Sequence, residues 1–142
     1  MKFYNLTCAW CFIANSTLLN IEWPDGNSQY YGTIVNSSRL KINGNFPNAR
    51  YFSFELYDLK TWIPFWDIHD VNIEATANPY LNPSVEYNSS LHYQIDLNID
   101  HNNKVAEEQS SLLIYRIYMG VNHTGGVRLP NLSLFYNKEW ND

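Results

Sequence analysis

Hydrophobic and polar residues alternate along much of this 142-residue chain. The clearest case is Arg50–Tyr57, where Phe52, Phe54 and Leu56 occupy every second position. Leu91–Ile99 alternates in the same way. A period of two residues is typical of a strand that turns one face toward a core. Both segments are therefore predicted to be strands with a buried apolar face.

Shorter strand-like segments follow one another at fairly regular spacing, and Gly, Pro and Asn separate them. The further predicted strands are Thr17–Trp23, Gln29–Val35, Arg39–Ile42, Asp70–Ala75, Ser111–Met119 and Val127–Tyr136. Turns are expected at Pro24-Asp25-Gly26 and Asn43-Gly44. No convincing amphipathic helix interrupts the series. Eight or nine short strands predict an all-β fold, an antiparallel, jelly-roll-like β-sandwich.

The first 16 residues differ from the rest, because apolar side chains crowd there ahead of the first predicted turn. We interpret residues 1–16 as an N-terminal arm and residues 17–142 as one β-sandwich domain. Apolar surface left in water usually marks an interaction site. The arm either joins the sheet edge of a neighbouring subunit or packs on its own sandwich. The residues expected to make the assembly contact are Phe3, Tyr4, Leu6, Trp10, Phe12 and Ile13.

The composition narrows the class of protein. Charged residues make up only 16% of the chain, against roughly 25% in ordinary soluble domains. Nine basic and 14 acidic residues give a net charge of −5, so no basic stripe is available for nucleic acid. No apolar run approaches the roughly 20 residues of a membrane span. The N-terminal segment only faintly resembles a signal peptide, and the chain is interpreted as mature.

Acceptor sequences for N-glycosylation are unusually frequent. With 19 Asn, 11 Ser and 6 Thr, a random arrangement would give about two Asn-x-Ser/Thr sequences. The chain has six, at Asn5, Asn15, Asn36, Asn88, Asn122 and Asn131. Asn-rich turns produce such sequences by accident; the alternative is a secreted, glycosylated chain. The scarcity of charge favours the second interpretation, because glycans can solubilise a surface in place of ions. An extracellular or cell-surface location is therefore expected.

The two cysteines, Cys8 and Cys11, form a Cys-Ala-Trp-Cys sequence. In a strand–helix context this spacing would suggest a thioredoxin-like redox site, but no such pattern follows. One cysteine pair cannot supply the four ligands of a structural zinc ion. In an extracellular chain the pair is predicted to form a local disulfide that fixes geometry, and two free thiols remain the alternative.

One short segment, Trp62–Asp70, combines three aromatic rings with two acids and a histidine. Its rings are typical of a sugar-binding platform, and its ionisable groups are typical of acid–base catalysis. The alternative is a loop whose rings cover an open end of the sandwich. The candidate glycan-binding residues are Trp62, Phe65 and Trp66, and the candidate acid–base residues are Asp67, His69 and Asp70.

A calcium loop is imitated by Asp96-x-Asn98-x-Asp100-x-Asn102. Its sixth position should be Gly and is His101, and the alternation favours a strand instead. No phosphate-binding glycine loop and no nucleophile elbow are present. We therefore expect no catalytic residue, no metal and no cofactor.

Several short motifs resemble a known family. Gly44–Ser53 reads G-x-F-P-x-A-R-Y-x-S and runs on to Tyr57-Asp58, and residues 125–130 read G-G-V-x-L-P. Together they resemble an uncharacterised family of secreted bacterial proteins, related to modules classed as domains of unknown function. The motifs lie between residues 23 and 130, and the resemblance implies no activity. More loosely, a short chain rich in acceptor sequences resembles the subunits of glycan-coated extracellular fibrils.

These observations predict a structural protein rather than an enzyme. The chain is expected to be the subunit of an extracellular, N-glycosylated helical fibril or surface assembly that polymerises through arm or strand exchange. Its expected partners are further copies of itself and covalently attached glycans. An arm added to a neighbour's sheet edge makes a heterologous contact, which can propagate into a filament. The alternative is a secreted carbohydrate-binding module that uses Trp62, Phe65 and Trp66.

Overall fold

A computed structural model describes residues 3–5, 10–12, 27–99 and 110–135 of the chain. The described part contains nine strands and no α-helix. In chain order the strands are β1 (Phe3–Asn5), β2 (Cys11–Phe12), β3 (Ser28–Val35), β4 (Arg39–Asn45), β5 (Tyr51–Asp58), β6 (Pro64–His69), β7 (His92–Asn98), β8 (Ser111–Tyr118) and β9 (Asn131–Phe135). A short 3₁₀ turn at Asp70–Asn72 follows β6.

The strands form two antiparallel sheets, which confirms the predicted all-β, sandwich-like fold. One sheet has four strands in the order β1-β9-β4-β7, and the other has five in the order β2-β3-β8-β5-β6. The chain passes from one sheet to the other between β1 and β2, between β3 and β4, between β4 and β5, and again on either side of β7 and β8. Most neighbouring strands are therefore distant in sequence.

The core lies between the sheets and is built by the predicted alternation. Phe52, Phe54 and Leu56 of β5 are fully buried, and Tyr93 and Ile95 of β7 are buried in the same cluster. The rings make a continuous network, in which Phe54 stacks on Tyr115 of β8 with centroids 4.6 Å apart. Aromatic pairs at such separations add to the free energy gained by burial, so the many rings of the sequence serve the core first.

The predicted strand Asp70–Ala75 is wrong. The chain turns at Asp70–Asn72 instead, because the Asp70 carboxylate accepts a hydrogen bond from the N–H of Val71 at 2.6 Å. The side-chain amide of Asn78 then donates to the carbonyls of Asp70 and Ile73 at 2.8 and 2.9 Å. These bonds satisfy backbone groups that a strand would have offered to a neighbour.

The aromatic segment expected to be a loop contains the edge strand β6. Its ladder with β5 pairs Leu56 with Trp66 and Tyr57 with Pro64, so Phe65 is the extra residue of a β-bulge. The strand was difficult to predict because Pro64 suggests a break in regular structure. Proline is nevertheless tolerated at the first residue of an edge strand, where no ladder donor is required.

Two predicted boundaries also move. β4 continues through Asn43 and Gly44 to Asn45 rather than turning there. Gly44 is required by close packing: a Cβ built on it would lie 2.6 Å from the Tyr93 hydroxyl oxygen. β9 begins at Asn131 rather than at Val127, because Gly126 has a left-handed backbone and Pro130 has no N–H to donate. The predicted strand Thr17–Trp23 lies outside the described residues.

Candidate functional site

The N-terminal arm contributes strands to the edges of both sheets. β1 pairs with β9, with Phe3 opposite Phe135, and β2 pairs with β3, with Phe12 opposite Tyr31. Both strands hold end positions in their sheets. Within this chain the arm therefore packs on its own sandwich, which is one of the two arrangements that the sequence left open.

Trp10 anchors the arm between those two strands. Its indole N–H donates to the Pro130 carbonyl at 2.8 Å, and its ring lies 5.8 Å from the Tyr115 ring and 6.5 Å from the Phe54 ring. A buried indole gains both apolar burial and a hydrogen bond. Among the predicted assembly residues, Trp10 thus has a side chain that packs against the core. Phe3, Tyr4 and Phe12 belong to the strands β1 and β2, whereas Leu6 and Ile13 lie outside the described residues.

Four of the six acceptor asparagines lie at the surface. Asn36 lies in the β3–β4 turn, Asn88 lies ahead of β7, Asn122 lies in the β8–β9 connection and Asn131 begins β9; all four are exposed. Asn5 belongs to β1, and Asn15 lies outside the described residues. A glycosyltransferase needs an accessible amide, so these four positions present no steric obstacle to modification.

The predicted aromatic platform is divided between two faces. Trp66 is partly buried and packs against the core, whereas Phe65, displaced by the bulge, is 39% exposed. Trp62 lies before β6 and is 45% exposed, and its neighbour Ile63 is 62% exposed. The exposed apolar cluster at the β5–β6 hairpin tip is therefore Trp62, Ile63 and Phe65, a set that differs by one residue from the prediction.

The hairpin tip is held rigidly. The Trp62 N–H donates to the Asp58 carbonyl at 2.7 Å, and the Asp58 N–H donates to the Ile63 carbonyl at 3.1 Å. This geometry places Trp62 at φ +57°, a left-handed conformation that glycine or asparagine usually supplies. A bulky ring thus occupies a position where a smaller residue would be cheaper, and such strain is concentrated at functional sites.

The three ionisable candidates have separate surroundings. His69 Nε2 lies 2.9 Å from the Asp67 carboxylate, and its Nδ1 makes a short hydrogen bond with the Tyr51 hydroxyl on β5. Asp70 is buried, and its carboxylate accepts from the N–H groups of Phe52 and Val71. Burial raises the pKa of Asp70 above its ordinary value, and those two N–H groups oppose the rise. Asp70 thus serves the turn, whereas Asp67 and His69 face solvent.

On the outer face of the five-stranded sheet, one arginine lies among three tyrosine rings, an arrangement that was not predicted from the sequence. The guanidinium carbon of Arg116 lies 5.7 Å from the ring centroids of Tyr30 and Tyr51 and 6.0 Å from that of Tyr118. Its Nε donates to the Ser28 hydroxyl at 3.2 Å. A cation within about 6 Å of ring faces is attracted by their quadrupoles. Because three different strands supply the rings, no local sequence pattern predicts this arrangement.

Two motifs that were separate in the sequence meet in space. The Asn48 N–H donates to the Gly125 carbonyl at 2.8 Å, and the Tyr80 hydroxyl donates to the Pro47 carbonyl and accepts from the Ala49 N–H. We call this contact, formed by Pro47–Ala49, Tyr80 and Gly125, the Pro47 junction. Its hydrogen bonds are mainly to backbone carbonyls, so this part of the motif serves the fold rather than a reaction.

Neither a metal-holding group of side chains nor a membrane-spanning helix is found among the described residues. No group of three or more His, Cys, Asp or Glu side chains is arranged to hold a metal among them. Asp96 and Asn98 of the imitated calcium loop belong to β7, and Asp100 and Asn102 lie outside the described part. Within the same ranges, no helix is long and apolar enough to cross a bilayer. Cys11 belongs to β2, and Cys8 is outside the described residues, so the predicted disulfide stays a prediction.

Comparison with known proteins gives no assignment. No family model, no curated protein and no solved structure matches the chain.

Proposed function

We propose that the chain is the structural subunit of an extracellular, N-glycosylated fibril or surface assembly, in which the N-terminal arm is exchanged between neighbouring copies. The observation that carries this proposal is the way the arm is attached. It adds an end strand to each sheet and inserts one anchoring ring, Trp10, between them. An element of this kind can leave its own body and make identical contacts in another copy.

The donated surface is the arm, and the accepting surface is the edge of β9 and β3. Because the two surfaces differ, the contact is heterologous and generates a ring or an open filament.

The exposed acceptor asparagines support the extracellular part of the proposal. Asn36, Asn88, Asn122 and Asn131 lie on connections or at a strand start, where glycans would cover the subunit without entering its core. Deglycosylation by peptide-N-glycosidase, followed by intact-mass measurement, is expected to remove several glycans. A mass equal to that of the bare chain before treatment would contradict this part.

Arm exchange is tested by trapping the β1–β9 pair. Phe3 and Phe135 are opposite each other in the ladder, and the 4.5–5.5 Å separation of such Cα atoms lies within the range that a disulfide spans. In the variant Phe3→Cys/Phe135→Cys, oxidised assemblies are expected to run as a covalent ladder on a non-reducing gel. The single variant Phe3→Cys is the control for cross-links that involve the native Cys8 and Cys11. A product that is entirely cross-linked monomer would overturn arm exchange.

A second candidate function is favoured by one observation, the left-handed backbone of the exposed Trp62. A ring held in a costly conformation at a rigid tip is suited to stacking on a flat ligand such as a sugar. In this alternative the chain is a carbohydrate-binding module, with Phe65 and Ile63 beside Trp62. Retention on a glycan array that is lost in Trp62→Gly, while the fold persists, would support it.

A further inference from the structure

The four sheet ends differ in how well they are protected against pairing. β1 and β2 have only three and two residues. β6 begins with Pro64 and contains the bulge at Phe65. Prolines, bulges and very short strands are the devices that keep sheet edges from pairing with other chains. Three of the four ends of the described sheets therefore carry such a device.

β7 carries none of them. It has seven residues, His92–Asn98, with no proline, glycine or lysine. Its ladder with β4 runs without a register shift from Arg39 opposite Asn98 to Asn45 opposite His92, and within the described part of the chain β4 is its sole neighbour. A regular edge strand offers alternate N–H and carbonyl groups to any extended partner.

The sequence of β7 is close to a mirror image about Ile95. Polar residues occupy both ends and the positions on either side of Ile95, and apolar residues occupy those between. Tyr93 and Ile95 are buried, whereas His92, Gln94 and Asp96 are exposed. Reversal of the strand therefore keeps every polar side chain on the outer face and every apolar one toward the core.

We propose that β7 pairs antiparallel with β7 of a second copy, centred on Ile95, and joins two four-stranded sheets into one of eight strands. The contact is isologous and does not depend on arm exchange. In this register Gln94 faces Asp96 of the partner subunit, and His92 faces Asn98 of the partner subunit. The Asp96 carboxylate, which already accepts hydrogen bonds from Arg39 of β4, would meet an amide donor, and no like charges lie directly opposite each other.

Other registers are worse. A shift by one residue would set each buried side chain of one copy opposite a polar side chain of the other, so the two cores would lie on opposite faces of the joined sheet. A shift that centres the pairing on Asp96 would set that carboxylate against Asp96 of the partner subunit, which is unfavourable. A shift in the other direction, centred on Gln94, leaves residues unpaired at the end near Asn98. The register centred on Ile95 therefore pairs all seven residues and avoids repulsion.

The test uses charge changes of opposite sign at Gln94 in the full-length chain. Gln94→Glu would place one carboxylate opposite each Asp96, in two pairs per dimer, and Gln94→Lys would place an ammonium there. Because Gln94 is exposed on an edge strand, neither change should disturb the subunit itself. The matched controls are Asn72→Glu and Asn72→Lys, which alter the net charge equally at an exposed position in the 3₁₀ turn.

The readout is amide hydrogen exchange of residues 92–98 as a function of protein concentration, which reports this edge whether or not filaments form. We expect concentration-dependent protection of this segment. Its midpoint should rise about tenfold in Gln94→Glu and fall about tenfold in Gln94→Lys, since two cross-strand pairs change per dimer. The Asn72 variants should leave it unchanged.

Two results would overturn the β7 contact. One is protection of residues 92–98 that does not vary with concentration. The other is a midpoint that moves equally in the Gln94 and Asn72 variants, which would reflect net charge alone. The disulfide ladder from Phe3→Cys/Phe135→Cys reports arm exchange separately, so failure of either contact is distinguishable from failure of the other.

Discussion

Gly125 lies directly against Pro47: a Cβ atom built on Gly125 would be 2.3 Å from the Pro47 Cβ. The Asn48 nitrogen would lie 2.9 Å from that added Cβ atom. Its N–H already donates a hydrogen bond to the Gly125 carbonyl. The β4–β5 and β8–β9 connections meet at the Pro47 junction. This junction therefore requires a residue without a side chain at position 125.

This contact predicts the cost of adding a methyl group. Gly125→Ala should lower the free energy of unfolding by about 3–5 kcal/mol, because a left-handed backbone and a steric overlap act together. Gly126 is the matched control: it has nearly the same φ, +74° against +77°, but open space around its added Cβ. Gly126→Ala should cost only about 1–2 kcal/mol. Urea unfolding measures both, and equal losses would contradict the overlap.

The strained tryptophan predicts a gain in stability on substitution. Trp62→Gly should raise the free energy of unfolding by about 0.5–1 kcal/mol, because glycine adopts φ +57° without the steric penalty. This figure allows for the entropic cost of ordering a glycine. Ile63→Gly is the control, since Ile63 is exposed but not left-handed, and it should destabilise slightly. If Trp62→Gly were the more destabilising of the two, the ring would be contributing to packing and the argument for a binding tip would fail.

The arm anchor predicts a graded series. Trp10→Phe keeps an aromatic ring but removes the indole N–H that bonds to Pro130, so it should cost about 1–2 kcal/mol. Trp10→Ala also removes ring contacts with Tyr115 and Phe54 and should cost about 3–5 kcal/mol. If the arm is exchanged, the critical concentration for assembly should increase in the same order. Light scattering against concentration measures it, and an unchanged critical concentration in Trp10→Ala would contradict an anchoring role.

Alkaline stability should depend on Tyr57. Burial, assisted by the nearby Glu55 carboxylate, raises the pKa of Tyr57 from 10.0 to about 12. The folded state thus holds this proton more tightly than the unfolded chain. Its contribution to stability is complete below pH 10 and is lost as the pH rises toward 12.

The variant Tyr57→Phe isolates that contribution. Urea unfolding at intervals between pH 8 and pH 11.5 should show a smaller loss of stability in the variant than in the original chain above pH 10. The other buried tyrosines with raised pKa values, among them Tyr93 and Tyr115, remain in both proteins and cancel in the difference. Parallel curves above pH 10 would show that Tyr57 titrates normally.

Sequence periodicity was sufficient where one sheet face meets the core. β5 and β7 alternate, and Phe52, Phe54, Leu56, Tyr93 and Ile95 are buried as the alternation predicts. The failures have a common physical cause in distant partners. Asp70 ends a strand because the Phe52 N–H and the Asn78 amide satisfy its polar groups, and neither partner can be recognised from the residues next to Asp70.

The candidate sites also differ in whether the local sequence is enough to predict them. Acceptor asparagines are visible in the sequence because the signal is local, and Asn36, Asn88, Asn122 and Asn131 are exposed. The separation of Trp66 from Phe65 follows from a bulge, which depends on how β6 pairs with β5. The tyrosine rings around Arg116 come from β3, β5 and β8, so their meeting depends on sheet order alone.

The pairing of β1 with β9 has a consequence during synthesis. A ribosome completes the arm first, but it completes the edge that receives β1 only after nearly all the rest of the sandwich. Until then β1 has no partner strand within its own chain. Under the proposed arm exchange, this interval is the time in which the open β9 edge of another copy competes for the arm.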